Sequence, residues 1–156
     1  SPLAASVVDF KPGSELITHQ VSGAALGPII CYEIINDGLV RESASRSGAF
    51  IVQTNSATFA HTPESAQQLA ITRIRAIEHS REILSVSTVG ISAFIDNNGV
   101  VKSQTAENVS TSISGDLGVS TNQTIADKLG GVAPLLTLTF AALLAMSSRR
   151  KFFAKL

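Results

Sequence analysis

Short apolar runs separated by turn-forming residues dominate the first hundred residues of the chain. Runs of this kind, rich in Ile, Val and Phe, predict β-strands. The predicted strands span residues 15–20, 27–32, 49–54, 83–88, 91–95, 100–103 and 110–115. Between two of them, Asp96-Asn97-Asn98-Gly99 predicts a hairpin with a type I′ turn, because Asn and Gly tolerate positive φ angles.

Two segments carry apolar residues at helical spacing instead. The first covers residues 37–47. The second begins with Thr62 as its N-cap, has Pro63 at the first helical position and ends near Arg81. The apolar stripe of this second helix consists of Ala66, Leu69, Ala70, Ile74 and Ile77. The order of strands and helices indicates an α/β domain over residues 1–125.

The C-terminal part of the chain has a different pattern. Residues 129–148 contain no charged side chain, and the tail 149–156 opens with Arg-Arg-Lys. This pattern predicts a transmembrane helix with a basic cytoplasmic tail, which would leave residues 1–125 on the extracytoplasmic side. A buried core helix is the alternative, because the strictly apolar part, 132–146, is short for a span. The uncharged flanking residues and the basic cluster favour the span.

Composition excludes several classes of function. The formal net charge is zero, with 12 basic and 12 acidic residues, so the basic field of a nucleic-acid-binding protein is missing. One cysteine excludes an internal disulfide and a cysteine-based metal cluster. The three histidines have no ligand spacing, and we expect neither a metal nor another cofactor. With 44% hydrophobic and 15% charged residues, the chain is predicted to be folded.

The single cysteine stands where an apolar strand meets polar residues. Cys31 is followed by Tyr32 and Glu33, and an isolated cysteine is most often a small core residue. The rim of a sheet, however, also suits a thiol nucleophile. On an extended strand Cys31 and Glu33 would share a face, so that Glu33 would act as a proton acceptor or hydrogen-bond partner. Tyr32 would fill space or cover the site. His61 and His79 are weaker candidates for a Cys–His pair, because lone surface histidines are common.

Several motifs together resemble the nitrilase superfamily, in the version found in apolipoprotein N-acyltransferases. Pro28-Ile29-Ile30-Cys31-Tyr32-Glu33 resembles the strand that carries the nucleophile of that family. The other matching segments are the Phe10-Lys11-Pro12-Gly13 turn, residues 54–59 after the next strand, the helix 67–78 with its Arg73-Ile74-Arg75-Ala76-Ile77-Glu78 sequence, and the hairpin 87–99. The resemblance covers residues 10 to 150 and implies a partial nitrilase-type α-β-β-α sandwich followed by one C-terminal transmembrane helix.

The resemblance also implies an activity. By position, Cys31 matches the family nucleophile, and Tyr32 and Glu33 match the two active-site residues that follow it. Cys31 would take an acyl chain from a phospholipid as a thioester and pass it to the N-terminal amine of a lipidated apolipoprotein. The implied location is the bacterial plasma membrane, with the globular part on the extracytoplasmic face and the C-terminus in the cytoplasm.

The chain departs from the family pattern at several points. The general-base Glu and the Lys of the family come from strands before the nucleophile, so we expect a C-terminal fragment that is inactive alone and whose partner is the missing N-terminal half. Ser56, Thr58 and Val89 replace the Asp, Trp and Asn of the pattern, and the change at Thr58 affects a loop expected to contact lipid. Two alternatives stay open: a membrane-tethered amide hydrolase, and a non-catalytic remnant that binds a partner.

Overall fold

A six-stranded mixed sheet forms the centre of the fold. The computed structural model describes residues 13–60 and 62–153, and the side chains in this range except those of 133, 134 and 147–153. The strands follow the order β1-β2-β3-β4-β5-β6 across the sheet. They are β1 (His19–Val21), β2 (Ala24–Ile30), β3 (Ala49–Thr54), β4 (Glu82–Ser87), β5 (Ala93–Ile95) and β6 (Val101–Gln104).

Strands β2, β3 and β4 run parallel, and the outer pairs are antiparallel. The parallel connections contain the helices α1 (Asp37–Arg46) and α2 (Glu64–His79), as expected for crossovers between parallel strands. The predicted α/β class is therefore confirmed. The core lies between these helices and one face of the sheet, and its buried members are Ile29, Ile34, Val40, Ala44, Phe50, Val52, Ala76, Ile83, Ala93 and Ile95.

Close packing of α1 on β2 depends on the glycine in the middle of that strand. A Cβ atom at residue 27 would lie 2.3 Å from the Oγ of Ser43 and 2.7 Å from the Oγ of Ser47. Helix α1 begins where the side chain of Asn36 accepts a hydrogen bond from the Leu39 N–H, at 3.1 Å. A larger residue at position 27 would force these serine side chains to move.

The apolar stripe of α2 was predicted to be its buried face, and this prediction is wrong. Ile74 and Ile77 are 60% and 57% exposed. The buried positions of this helix are instead Ser65, Gln68, Thr72, Arg75, Ala76 and His79. These mainly polar side chains recur at helical spacing too. Gln68 donates to Thr54 on β3, Thr72 to a carbonyl of α2 itself and Arg75 to the Ile34 carbonyl, and these hydrogen bonds offset the loss of water. The helix also begins at Glu64, one residue later than predicted.

A buried arginine fastens the C-terminal ends of both helices. Arg81 is 1% exposed. Its guanidinium donates to the carbonyl oxygens of Ala44, Ser47, His79, Ser80 and Asn122 at 2.7 to 3.4 Å. Carbonyls in the last turn of a helix lack intrahelical partners, and the helix dipole favours a cation beside them.

A second buried contact, between His79 and Asp127, holds the segment after the sheet against the end of α2. Helix α3 (Ile125–Leu129) begins at Thr124, whose hydroxyl donates to the Glu78 carbonyl at 2.7 Å. The His79 Nδ1 and an Asp127 carboxylate oxygen lie 2.5 Å apart, and both side chains are buried. We refer to Arg81, His79 and Asp127 as the Arg81 anchor.

The predicted hairpin is present, but its turn is of another type. Gly99 has φ +74°, and no positive φ occurs at Asn97 or Asn98. The Asp96 carbonyl accepts from the Gly99 N–H, and the Asp96 N–H donates to Val100. This is a type I turn followed by a left-handed glycine. The strand predicted at 110–115 is wrong, because this segment has no regular secondary structure.

The second face of the sheet is only partly covered. Cross-strand partners share a face, so Pro28, Ile51 and Leu84 line it together, as do Ile30 and Val86. Ile30 is 59% exposed and Val86 43% exposed. The described residues thus form one sheet and one helix layer, which is half of the predicted α-β-β-α sandwich. We call Pro28, Ile30, Ile51, Leu84 and Val86 the open sheet face.

Helix α4 (Val132–Phe153) contains the segment predicted to span a membrane. Its described apolar side chains are exposed: Val132, Leu135, Leu136, Leu138, Phe140, Leu143, Leu144 and Met146 each exceed half exposure. The alternative to the span, a buried core helix, is therefore wrong. Nor is the predicted span found, since no helix in the described part of the chain is both long and apolar enough to cross a bilayer.

Candidate active site

Cys31 lies directly after β2, at the carboxyl end of a central parallel strand. In open α/β sheets this end is where ligands bind. The predicted strand reaches Tyr32, but β2 ends at Ile30 and a 3₁₀ helix (Cys31–Ile35) begins. Cys31 has φ +52°, a left-handed conformation that a residue with a Cβ adopts at a cost of about 1–2 kcal/mol. The thiol is free and half-buried. A strained and accessible position at a strand end is typical of a functional residue.

Glu33 does not share a strand face with Cys31, so that expectation is wrong. The 3₁₀ helix instead turns the Glu33 carboxylate back toward the strand, where it accepts a hydrogen bond from the Ile30 N–H at 2.7 Å. The Asn36 N–H donates to the Glu33 carbonyl at 2.9 Å. Glu33 therefore stabilises the sharp turn that presents Cys31.

Tyr32 is 46% exposed and interacts with the first turn of α2. Its hydroxyl donates a hydrogen bond to Glu64, and this bond is the main reason why the pKa of Tyr32 lies above its usual value of 10.0. The Glu64 Oε2 atom is buried and has no partner among the described residues. Together with Ile34, Gln67, Gln68 and Ile71, these two residues line a cavity of about 50 Å³.

Gln68 reaches from α2 to the backbone of the cysteine. Its Nε2 atom donates to the Cys31 carbonyl at 3.3 Å and to the Thr54 Oγ1 at 2.6 Å. Thr54 is the last residue of β3, so one side-chain amide joins the ends of two adjacent parallel strands. Gln68 is 7% exposed, and its Oε1 atom has no partner in the described structure.

Arg75 supports the 3₁₀ helix from the same face of α2. It donates to the carbonyls of Ile34 and Ile35 at 2.8 and 3.1 Å. It also pairs with Asp37 and Glu78, at 2.5 Å each. The hydrogen bond from Arg75 lowers the pKa of the Asp37 carboxyl below its usual value of 3.8. The segment after Cys31 is thus held at both ends, by Gln68 and by Arg75.

Other features of the surface lie away from the thiol. A concavity of about 510 Å³ includes Ala24 and Gly48, at the ends of β2 and β3 opposite to Cys31, and Cys31 is not part of its lining. Within the described ranges, no group of three His, Cys, Asp or Glu side chains is placed to hold a metal ion. His79 belongs to the Arg81 anchor, and His61 falls outside the described residues, as do Phe10, Lys11 and Pro12 of the resembling turn.

The structure brings Cys31, Tyr32 and Glu33 together in one turn, although each makes a different contact. Sequence reasoning missed Thr54, Glu64 and Gln68, which lie more than twenty residues along the chain from Cys31. The polar stripe of α2, formed by Ser65, Gln68, Thr72, Arg75 and His79, was the available signal. At helical spacing it marks a face as clearly as the apolar stripe does.

Several known proteins are similar in sequence to this chain. The sequence pattern of the carbon-nitrogen hydrolase family matches residues 2–126. An apolipoprotein N-acyltransferase from Mycolicibacterium smegmatis is 34% identical over 124 residues, which are 79% of this chain and 21% of that protein. One from Pasteurella multocida is 29% identical over 153 residues, covering 94% of this chain and 29% of that protein. The chain thus spans less than a third of the length of these relatives.

Solved structures share the fold at lower sequence identity. Nit3 from Saccharomyces cerevisiae, a member of the nitrilase superfamily, superposes with a TM-score of 0.52 at 21% identity, covering 63% of this chain and 39% of Nit3. An amidase from Nesterenkonia sp. AN1, with an acetamide moiety bound covalently to its active-site cysteine, gives 0.53 at 19% identity, covering 64% and 40%. With a family pattern that matches most of its length and a mixed nitrilase-type sheet, the chain belongs to the carbon-nitrogen hydrolase family.

Proposed function

We propose that the chain is the thiol-bearing part of an apolipoprotein N-acyltransferase. One observation carries the proposal: a half-buried free cysteine in a left-handed conformation directly follows the parallel strand β2 and precedes Tyr32 and Glu33. The curated relatives, which match this chain at 29% and 34% identity, support acyl transfer over amide hydrolysis.

The proposed reaction has two steps. The Cys31 sulfur attacks the ester carbonyl carbon of a phospholipid, the ester C–O bond breaks, and the departing alkoxide takes up the proton lost by the thiol. The amine nitrogen of a lipidated N-terminal cysteine then attacks the thioester carbon. The C–S bond breaks, and the proton lost by the amine returns to the thiolate. A thiol suits both steps because it is a good nucleophile and a good leaving group.

A segment outside the described residues would supply the proton acceptor. Of the carboxylates around the cysteine, Glu33 accepts from the Ile30 N–H and Glu64 accepts from Tyr32. The open sheet face supports a partner at this place. It exposes Ile30 next to Cys31 and Val86 two strands away, and apolar surface of this kind is stabilised when another sheet covers it. We propose that the upstream half of the enzyme packs there and brings the carboxylate and a lysine.

The test is a chimera in which this chain replaces the corresponding C-terminal part of the Pasteurella multocida relative. We expect transfer of an acyl group from phosphatidylethanolamine to a lipidated peptide, and a hydroxylamine-labile acyl group on Cys31 by mass spectrometry. Cys31→Ala and Cys31→Ser should abolish transfer, since an alkoxide forms far less readily than a thiolate at neutral pH. His19→Ala, at an exposed position of β1, serves as the control.

Four other results would contradict the proposal or a part of it. An acyl group on another residue would show that Cys31 is not the nucleophile. Release of ammonia from a simple amide, without transfer to the peptide, would identify an amide hydrolase. A chimera that is folded but fails to acylate Cys31 would favour a non-catalytic chain that only binds a partner. Acyl transfer by the 156-residue chain alone would overturn the need for an upstream carboxylate.

We further propose that the protein works at the bacterial plasma membrane and that α4 binds the bilayer. The exposed apolar side chains around this helix support lipid contact, because water contact with them is unfavourable. We expect the chain to float with vesicles of phosphatidylethanolamine and phosphatidylglycerol. The double variant Leu138→Lys, Leu143→Lys should stay in the dense fractions, whereas Ile74→Lys, on α2, should float. Flotation of the double variant would contradict lipid binding by α4.

The orientation at the membrane is part of the same proposal. A cytoplasmic C-terminus with an extracytoplasmic globular part would require the chain to cross the bilayer, and the basic residues that open the tail 149–156 favour this orientation. A reporter fused to the C-terminus should therefore be active only if it functions in the cytoplasm. A C-terminus that can be labelled from outside intact cells would reverse the orientation.

A further inference from the structure

Hydrogen bonds hold the strained Cys31 on both sides, and one of them comes from Gln68. On the N-terminal side, the Ile30 N–H is bound by the Glu33 carboxylate at 2.7 Å. On the C-terminal side, the Cys31 carbonyl accepts from Gln68 Nε2 at 3.3 Å. The Glu33 contact is local to the turn, but the Gln68 contact links residues 37 positions apart. The Gln68 contact therefore fixes Cys31 itself relative to α2, as Arg75 does for the far end of the same turn.

The chemistry of the acceptors sets the orientation of the Gln68 amide. A backbone carbonyl can only accept, so the NH₂ group must face Cys31. The same NH₂ group reaches Thr54 Oγ1 at 2.6 Å, and its two hydrogens therefore serve two acceptors on neighbouring strands. Turning the amide around would place its oxygen against the Cys31 carbonyl. The buried Oε1 atom then remains without a described partner, an arrangement that a purely structural residue usually avoids.

The geometry points to Gln68 as a positioning residue, whose amide holds Cys31 in its left-handed conformation and so directs the thiol. This inference rests on the proposed function of Cys31 as a nucleophile. Gln68 itself touches the backbone of Cys31 and acts through it. Without the donor, the peptide after Cys31 can rotate toward the more favourable negative φ region, and the thiol then points in other directions.

The experiment uses the only cysteine of the 156-residue chain as its probe. The alkylation rate of Cys31 by iodoacetamide is measured in detergent for the wild type and for Gln68→Met, which keeps the length and removes the donor. We expect alkylation at least threefold faster, because a mobile turn exposes the thiol more often. Amide hydrogen exchange over residues 31–34 should accelerate at least tenfold. Gln104→Met, the same change at an exposed position of β6, should match the wild type.

Two further measurements separate positioning from general destabilisation. Alkylation through a local opening is insensitive to low concentrations of urea, whereas alkylation through global unfolding rises steeply with urea. We expect the insensitive behaviour for Gln68→Met. Gln68→His keeps an N–H donor and should restore part of the wild-type rate. If Gln68→Met does not fold, Thr54→Val removes the other acceptor of the same amide and should give a smaller effect of the same sign.

In the chimera, the same variants should change the chemical step in the opposite direction. For Gln68→Met we expect kcat for acyl transfer to fall at least tenfold with KM for phospholipid little changed, because a misdirected thiol slows attack without weakening binding. Wild-type alkylation and exchange rates in Gln68→Met, or in Thr54→Val where that variant replaces it, would overturn the positioning role. A chimera without acyl transfer would overturn the proposed function alone, because the alkylation result does not depend on turnover.

Discussion

Two buried polar side chains in this fold tie helices to strand ends, and they differ in how completely they are satisfied. Arg81 donates from all three guanidinium nitrogens to five backbone carbonyls. Gln68 donates to Cys31 and Thr54, but its oxygen has no described partner. A fully satisfied buried group is what stability favours, whereas an incompletely satisfied one is tolerated where another requirement exists. The comparison separates the structural end of the sheet from the end that carries Cys31.

The largest effect on stability should come from removing Arg81. Arg81→Met leaves five buried or half-buried carbonyls without their donor, and each unsatisfied buried acceptor costs about 1 kcal/mol or more. We expect the free energy of unfolding in urea to fall by at least about 3 kcal/mol. Arg46→Met removes an exposed arginine that pairs with Glu42 and should change it by less than about 1 kcal/mol. Equal losses of unfolding free energy for Arg81→Met and Arg46→Met would contradict the structural role of Arg81.

The Arg81 anchor should also make stability depend on acid pH. Burial acts to raise the pKa of Asp127, but hydrogen bonds from the Thr124 N–H and from His79 outweigh it, so that the pKa lies below its usual value of 3.8. A carboxyl whose pKa is lowered by folding contributes stability above its usual pKa and loses it as the pH falls through the folded value. We therefore expect the urea midpoint to fall as the pH drops below about 4.

The matched variant for this prediction is Asp127→Asn, which removes the titration and keeps the shape. Its loss of stability on acidification should be smaller than that of the wild type, with the remainder coming from Asp37, whose pKa is lowered by Arg75. An unchanged acid profile in Asp127→Asn would show that the anchor does not contribute to the pH dependence.

A smaller loss of stability than that of Arg81→Met should come from Gln68→Met. The change removes donors for Cys31 and Thr54, but it also removes a buried oxygen without a partner. We expect a loss of about 1 kcal/mol in the urea experiment, well below that of Arg81→Met. A loss as large as that of Arg81→Met would mean that Gln68 is a structural residue like Arg81. It would contradict the difference in role between the two side chains.

The sequence predicts those features of the fold and of the site that depend on residues close together in the chain, and it fails for those that depend on distant residues. The limits of β3 (Ala49–Thr54) were predicted without error, because a buried parallel strand is an uninterrupted apolar run. The face of α2 was predicted wrongly. Arg75 is buried because it donates hydrogen bonds to the carbonyls of Ile34 and Ile35, about forty residues earlier in the chain. The sequence around Arg75 does not indicate a contact over this distance. The position of Cys31 at a strand end was predicted, but its left-handed backbone and the role of Gln68 depend on such distant contacts.

The positive φ of Cys31 implies a trade-off between stability and reactivity. A residue with a Cβ in this conformation is strained, and glycine alone would occupy it without strain. A protein selected only for stability would therefore carry glycine at position 31, at a gain of about 1 kcal/mol. Under the proposed function, the strain at this turn is the stability that the fold gives up to keep a thiol at position 31.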